Sequence, residues 1–202
     1  MSKPIAGGRV RFLGAFPAEV PLPGLPEVAV AGRSNVGKSR CLNALLGIRG
    51  VARVSRTPGR TRAVHLYVVE NRYVLADLPG YGHAEVPSAV RASWKGLVEG
   101  YLAGPRDLRL VLALVDPRRV PGGMDGVLLE GLRQAGIPFL VVATKVDRVP
   151  RNDRIRLLGN LVEGYHLDPL SLLPISSVDG TGIEALRAAV DAAVASRRPR
   201  RG

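Results

Sequence analysis

At 202 residues the chain is long enough for one well-packed α/β domain and short for two. Its single cysteine, Cys41, excludes an intramolecular disulfide, and no apolar stretch approaches the roughly eighteen residues that cross a bilayer. A soluble cytoplasmic protein without stable membrane association is the expectation. With 29 Lys plus Arg against 17 Asp plus Glu, the net charge of +12 attracts polyanions, nucleic acid foremost, although only 4 of the 29 are lysines and part of the arginine excess is compositional.

Taken in order, residues 1–27 carry Pro17, Pro21, Pro23 and Pro26, which rule out a continuous helix. Val10, Phe12, Leu13 and Phe16 suit an extended arm or short strand on the domain edge. Val28–Ala31 then reads as a buried strand, and Cys41–Leu46 begins a helical pattern. Between them lies Gly32-Arg33-Ser34-Asn35-Val36-Gly37-Lys38-Ser39, which fits G-x-x-x-x-G-K-[ST] in the strand–loop–helix context that motif requires. Two glycines let successive N–H groups and the helix N-terminus converge on one anion. Lys38 brings a positive charge to the β- and γ-phosphates, and the Ser39 hydroxyl suits Mg²⁺.

Residues 47–62 are irregular and basic. A nucleotide switch needs a loop threonine that reaches both Mg²⁺ and the γ-phosphate, and Thr57 and Thr61 both qualify on their residue type. Ala63–Val69 and Tyr73–Ala76, separated by Glu70-Asn71-Arg72, form a hairpin signal that places one antiparallel edge strand on a parallel sheet. His65 within it is expected to be a packed histidine. The second strand runs into Asp77-Leu78-Pro79-Gly80, a D-x-x-G pattern that supplies a carboxylate to the outer coordination of Mg²⁺ and an N–H to the γ-phosphate.

An amphipathic helix, Ser88–Leu102, carries Trp94 as a packing anchor. Leu108–Val115 is a nearly all-apolar strand that closes on a rigid basic loop, 116–121. A helix over Met124–Gln134 precedes the strand Pro138–Ala143, which ends in Thr144-Lys145-Val146-Asp147. A carboxylate accepts from both the ring N–H and the exocyclic amine of guanine, whereas adenine offers an acceptor at that ring position, so Asp147 is the candidate for base selection. The Lys145 stem is suited to cover the base. After a helix at 151–165, the strand Leu172–Ile175 leads to Ser176 and Ser177, where the N–H groups of Ile175 to Ser177 can meet the guanine carbonyl. A final helix carries Ile183, Leu186, Val190 and Val194 on one face, and the basic tail beyond it has nothing apolar to bury.

GRSNVGKS, TPGRT, DLPGYG, TKVD and ISS in this order, with SWKGLVEGYL between the third and fourth, resemble the EngB family of bacterial GTPases. The resemblance covers about residues 24–190. It implies a three-layer P-loop GTPase fold with a six-stranded, mostly parallel sheet and one antiparallel edge strand. The divisions expected are an N-terminal arm at 1–23, a GTP-binding domain at 24–195 and a basic tail at 196–202. It implies GTP and GDP as ligands, Mg²⁺ as cofactor, large-subunit ribosomal RNA or proteins as partners, a monomer, and a link to septum formation. It also brings Gly59, Arg60 and Thr61 into the nucleotide site, making Thr61 the Mg²⁺ threonine and Thr57 the turn residue. Arg40-Cys41 and His83 depart from the family's usual residues without touching a phosphate ligand.

Many GTPases orient the attacking water with a glutamine directly after D-x-x-G, but here that place is Tyr81. Slow intrinsic hydrolysis is therefore expected, with water positioned by a partner or an added ion. Asn35 resembles the asparagine that coordinates potassium in some related GTPases, which makes K⁺ a candidate second ion. An ATP-using kinase would leave Asp147 and Ser176-Ser177 without a task, and a membrane-associated division GTPase would lack any lipidation signal.

Overall fold

A computed structural model of the protein describes residues 10–48, 50, 63–82 and 88–196, the side chains of 88–95 excepted. Among these residues seven strands form one sheet: β1 (Val10–Phe16), β2 (Glu27–Gly32), β3 (Val64–Val69), β4 (Tyr73–Asp77), β5 (Leu108–Val115), β6 (Phe139–Ala143) and β7 (Leu172–Pro174). Their spatial order is β1-β3-β4-β2-β5-β6-β7. Among the described residues five α-helices accompany them: α1 (Lys38–Leu46), α2 (Ser88–Ala103), α3 (Gly123–Gln134), α4 (Arg151–Gly164) and α5 (Ile183–Ala195).

The five strands from β4 to β7 are parallel, and β3 is antiparallel to β4. The expectation of six strands with β3 at the edge needs correcting, because β1 pairs antiparallel with β3 from Val10↔Val69 to Phe16↔Val64 and covers it. The antiparallel strand is thus one position inside the sheet. A register shift between Phe12 and Gly14 breaks the alternation of β1, which hid a full strand within a proline-bordered segment. The β3–β4 turn is as the sequence indicates: Glu70 and Asn71 take φ of 51 and 53, and Arg72 N–H donates to Val69 O at 2.9 Å.

The sheet is apolar on both sides because β2 and β5 are buried throughout apart from Arg109. Period-two alternation divides their side chains. Val28, Val30, Leu112 and Leu114 meet Leu42 and Leu45 of α1 and Leu186 and Val190 of α5 on one face. Ala29, Ala31 and Val111 face Tyr101 of α2 and Leu132 of α3, while Ala113, Val115 and Val141 meet Leu129 of α3 and Leu161 of α4. At the start of β2, Glu27 is 1% exposed and accepts from Tyr101 Oη and, at 2.7 Å, from Arg106 Nη1. A buried carboxylate is tolerable only with such partners. With the parallel strands fixed in this way, the loops after β2, β4, β5, β6 and β7 emerge along one rim, where open α/β sheets take their ligands.

Candidate nucleotide-binding site

The phosphate loop leaves β2 at Gly32 and re-enters regular structure at Lys38, the first residue of α1. A Cβ at Gly32 would lie 2.9 Å from Leu114 O and 3.0 Å from Val36 Cγ1, so the loop can start here only without a side chain. Asn35 and Gly37 adopt φ of 63 and 113, which curls the loop ahead of the helix N-terminus. The side chain of Arg33 leaves the loop sideways, with Cζ 3.3 Å from the Cβ position of Gly82. Val36 is buried, and Cys41 is 1% exposed; burial and then the nearby Asp77 push its thiol up to about 12. A protonated, enclosed thiol has no redox accessibility and serves packing.

The D-x-x-G segment is laced to this loop. Leu78 N–H donates to Val30 O at 3.0 Å, Ser34 N–H to Tyr81 O at 2.8 Å, Tyr81 N–H to Gly32 O at 3.3 Å, and Ser34 Oγ to Gly80 O at 3.1 Å. Pro79 is buried beside them, and a Cβ at Gly80 would press on Ser34 N, Cα and Oγ at 3.2 Å each. Asp77, at the end of β4, accepts a hydrogen bond from Lys38 Nζ and is 4% exposed. His65 Nδ1 lies 3.9 Å from the other carboxylate oxygen, and burial lowers the imidazole pKa against the pull of Asp77. His65 also rests against Phe12, with ring centroids 6.1 Å apart, and is a packed side chain as anticipated.

The two base-side loops close on the same place. Thr144 is 3% exposed, and its hydroxyl donates to Val36 O at 2.7 Å and Val115 O at 3.1 Å. Thr144 therefore ties three loops together. Lys145, at φ 59, donates to Asn35 O at 2.6 Å and sends its stem past Gly37, where a Cβ would lie 3.7 Å from its Cε. Val146 N–H donates to Ile175 O at 3.2 Å, so the Asp147 loop and the Ser176 loop are joined through their backbones. Asp147 and Ser177 are half-buried at the rim. Ser176 is fully buried, and its hydroxyl accepts from Val178 N–H at 3.2 Å and Asp179 N–H at 3.3 Å, which shapes the loop from inside.

Two carboxylates had no role in the sequence reading. Asp116, at the end of β5, receives Arg118 Nε at 2.9 Å, Arg118 Nη2 at 2.6 Å and Lys145 Nζ at 3.3 Å. Burial alone would raise its pKa, but these donors hold it down to about 2. Asp125, in the first turn of α3, accepts from Tyr81 Oη at 2.8 Å. Burial raises the Asp125 pKa, while the Tyr81 hydroxyl and the Arg33 guanidinium oppose that rise. The two residues could have been suspected only as carboxylates beside strand and helix ends.

Gly59, Arg60 and Thr61, with the alternative Thr57, lie outside the described residues, as do His83 and the Trp94 side chain. Ser39, in the first turn of α1, and Asp77, beside Lys38, are the described oxygen donors that fit an Mg²⁺–phosphate complex. Among the described residues no group of three or more His, Cys, Asp or Glu gathers into a metal site of its own. Nor is any described helix long and apolar enough to cross a membrane.

Residues 27–145, more than half of the chain, match the family model described as 50S ribosome-binding GTPase. A probable GTP-binding protein EngB of Geobacter sp. (strain M21) is 42% identical over 87% of this chain and 82% of its own length. One from Thermotoga sp. (strain RQ2) is 43% identical over 84% of this chain and 87% of its own. Among solved structures, a probable GTP-binding protein engB superposes with a TM-score of 0.68 at 24% identity, covering 85% of this chain and all of that one. Era in complex with MgGDPNP and a segment of 16S ribosomal RNA superposes at 0.66 with 21% identity, covering 87% of this chain and 58% of that one. Both share the fold.

Proposed function

The chain belongs to the EngB family of GTP-binding proteins, and on that premise we propose that it is a Mg²⁺-dependent GTP switch that assists assembly of the large ribosomal subunit. The observation that carries the reading is the lacing of the phosphate loop to the D-x-x-G segment through Ser34, Gly80 and Tyr81. A γ-phosphate held by the loop would meet Gly80 N–H directly, so its loss would act on the segment leading toward α2. Lys38 would leave Asp77 for the β- and γ-phosphates. Ser39 and Thr61 would then hold Mg²⁺, which supplies charge neutralisation at the transferring phosphoryl group, with Asp77 fixing one of its waters.

Guanine would sit against the Lys145 stem with Asp147 accepting from its N–H groups. Of the three N–H groups expected to meet the guanine carbonyl, that of Ile175 donates instead to Ala143 O at 2.8 Å and that of Ser176 to Thr181 O at 2.9 Å, so the contact falls to Ser177, with Thr144, Val146, Ile175 and Ser176 shaping the loops around the base. Gly59, Arg60 and Thr61 would belong to the same site by the family resemblance. Intrinsic hydrolysis is slow in this reading, because the place of the water-orienting glutamine is held by Tyr81, whose hydroxyl is already engaged with Asp125. A partner or K⁺ near Asn35 would supply the missing positioning. Equal turnover in K⁺ and Na⁺ at matched ionic strength removes the potassium arm.

The unit responsible is residues 24–195 together with β1 of the 1–23 segment, which belongs to the same sheet, with the basic tail 196–202 as a flank, acting as a cytoplasmic monomer with a link to cell division. Titration calorimetry with GTP, GDP and ATP on nucleotide-stripped protein tests the binding site; no heat with GTP removes the reading. Cofractionation with large ribosomal subunits, rather than with membranes, in the presence of a non-hydrolysable GTP analogue tests the role.

A further inference from the structure

The loop that leaves β5 and the exposed side of α4 enclose a groove of about 650 Å³, lined by Arg118, Arg119, Val120, Arg156, Leu157 and Asn160 among others. Glu163 is the only acid among the described residues of that lining. The loop is held in shape from several directions. Arg119 N–H donates to Asp116 O at 3.0 Å, and the Arg118 fork is fixed on Asp116 while its side chain stays 39% exposed. At the other end Pro121 packs so closely on Gly164 that a Cβ there would lie 2.5 Å from the proline Cβ and 2.7 Å from its Cγ. Val120 projects 91% exposed between the arginines.

Three guanidinium groups surround a pre-shaped cleft. Asp116 takes the Nε/Nη2 edge of Arg118 and Asp153 takes Nη2 of Arg156 at 2.8 Å, so the donors offered to phosphate oxygens are those of Arg119 and the remaining N–H groups of Arg118 and Arg156. Pro117, Val120, Pro121 and Leu157 add apolar surface of the kind on which a base or ribose can rest, and Asn160 adds an amide for base edges. An acidic peptide would answer the arginines but leave that apolar surface without a use. A chain charge of +12 steers polyanions toward the molecule before contact.

We propose that this groove between the 117–121 loop and α4 is a docking site for the phosphate backbone of looped or single-stranded RNA. The proposal rests on the ribosomal reading above and names a surface for it. Asp116 connects the groove to the nucleotide side, because the carboxylate that fixes Arg118 also pairs with Lys145.

The test uses the full chain bound to a non-hydrolysable GTP analogue and a fluorescein-labelled RNA stem-loop, read by anisotropy over a salt series. The double variant Arg119→Ala/Arg156→Ala should lose about tenfold or more in RNA affinity, and the slope of log K against log salt should fall by about two, roughly one per arginine. Its GTP affinity should match the unaltered protein, which establishes that it folds. Arg11→Ala/Arg72→Ala removes the same charge from exposed positions on β1 and the hairpin turn and should keep most of the slope. Equal losses in the two double variants would show diffuse surface electrostatics and overturn the groove. Polyglutamate competing as well as unlabelled RNA would indicate an acidic protein partner and overturn the RNA assignment. If the unaltered protein and Arg119→Ala/Arg156→Ala bind purified large subunits equally well, the groove is wrong and the ribosomal role stands; if the unaltered protein binds neither RNA nor subunits, the role itself fails.

Discussion

The phenol of Tyr81 donates a 2.8 Å hydrogen bond to Asp125, joining the residue directly after Gly80 to the first turn of α3. Tyr81 is 6% exposed and Asp125 also 6%. The side chain that replaces a water-orienting glutamine in sequence is therefore committed to a neighbouring helix. Tyr81→Phe keeps the ring and removes the donor, leaving a buried carboxylate short of a partner. Urea unfolding should show a loss of about 1–3 kcal/mol, while intrinsic GTP turnover changes by less than about threefold. A large fall in turnover with stability intact would give the phenol a direct part in hydrolysis.

Close backbone approach explains Gly32 and Gly80, whereas Gly37 answers to its positive φ. At Gly32 an added methyl meets a carbonyl oxygen of β5 at 2.9 Å, and neither strand can move far inside a sheet buried on both faces. Gly32→Ala should cost about 1–3 kcal/mol of stability and weaken GTP binding at least tenfold. Gly80→Ala, whose contacts at 3.2 Å involve the smaller Ser34, should be milder in stability but should blunt any difference between the GTP- and GDP-bound protein in protease sensitivity. Both variants behaving like the unaltered chain would remove close approach as the reason.

Base selection rests on Asp147, whose loop is fixed through Val146 N–H and Ile175 O. Asp147→Asn keeps one acceptor and turns the other into a donor, which suits the second carbonyl of xanthine and opposes the amine of guanine. Losing a charge-assisted bond of about 1.5–3 kcal/mol should lower GTP affinity by roughly tenfold to a hundredfold and raise that for xanthosine triphosphate. Competition binding with the two nucleotides measures the ratio, and an unchanged ratio would remove Asp147 from that role.

The phosphate loop, the D-x-x-G segment and the T-K-x-D segment are legible in sequence because each is a local device: residue types at fixed spacing that a short backbone path requires. What ties the loops to one another is not local. Lys145 reaches Asn35 across 110 residues and Asp116 across 29, and Thr144 reaches Val36 across 108. No spacing rule marks such pairs, since their proximity is made by the order β4-β2-β5-β6 and not by the chain. Strand β1 was legible only as an extended arm or short strand on the domain edge, for a related reason. Its bulge between Phe12 and Gly14 interrupts the period-two pattern, and only pairing with β3 shows that the segment is a strand throughout. Thr144 and Ser176 were recognised as site residues, yet their buried hydroxyls brace the loops, a distinction that residue type cannot make.

Asp116 gives a stability contribution with a defined pH window. Its carboxyl is held at about 2 by Arg118 and Lys145 despite burial, whereas in the unfolded chain an aspartate titrates near about 4. The folded value lies below the unfolded one, so the unfolded state takes up the proton first as pH falls. The contribution is therefore complete above about pH 4 and is lost progressively toward about pH 2. Asp116→Asn should cost about 1–3 kcal/mol at neutral pH, where it leaves Arg118 and Lys145 without their shared charge. The gap between the two proteins in urea unfolding should narrow as pH is lowered through that window, because the carboxyl of the unaltered protein becomes neutral as well. A gap that stays constant down to acid pH would mean that the cost comes from packing and not from the charge.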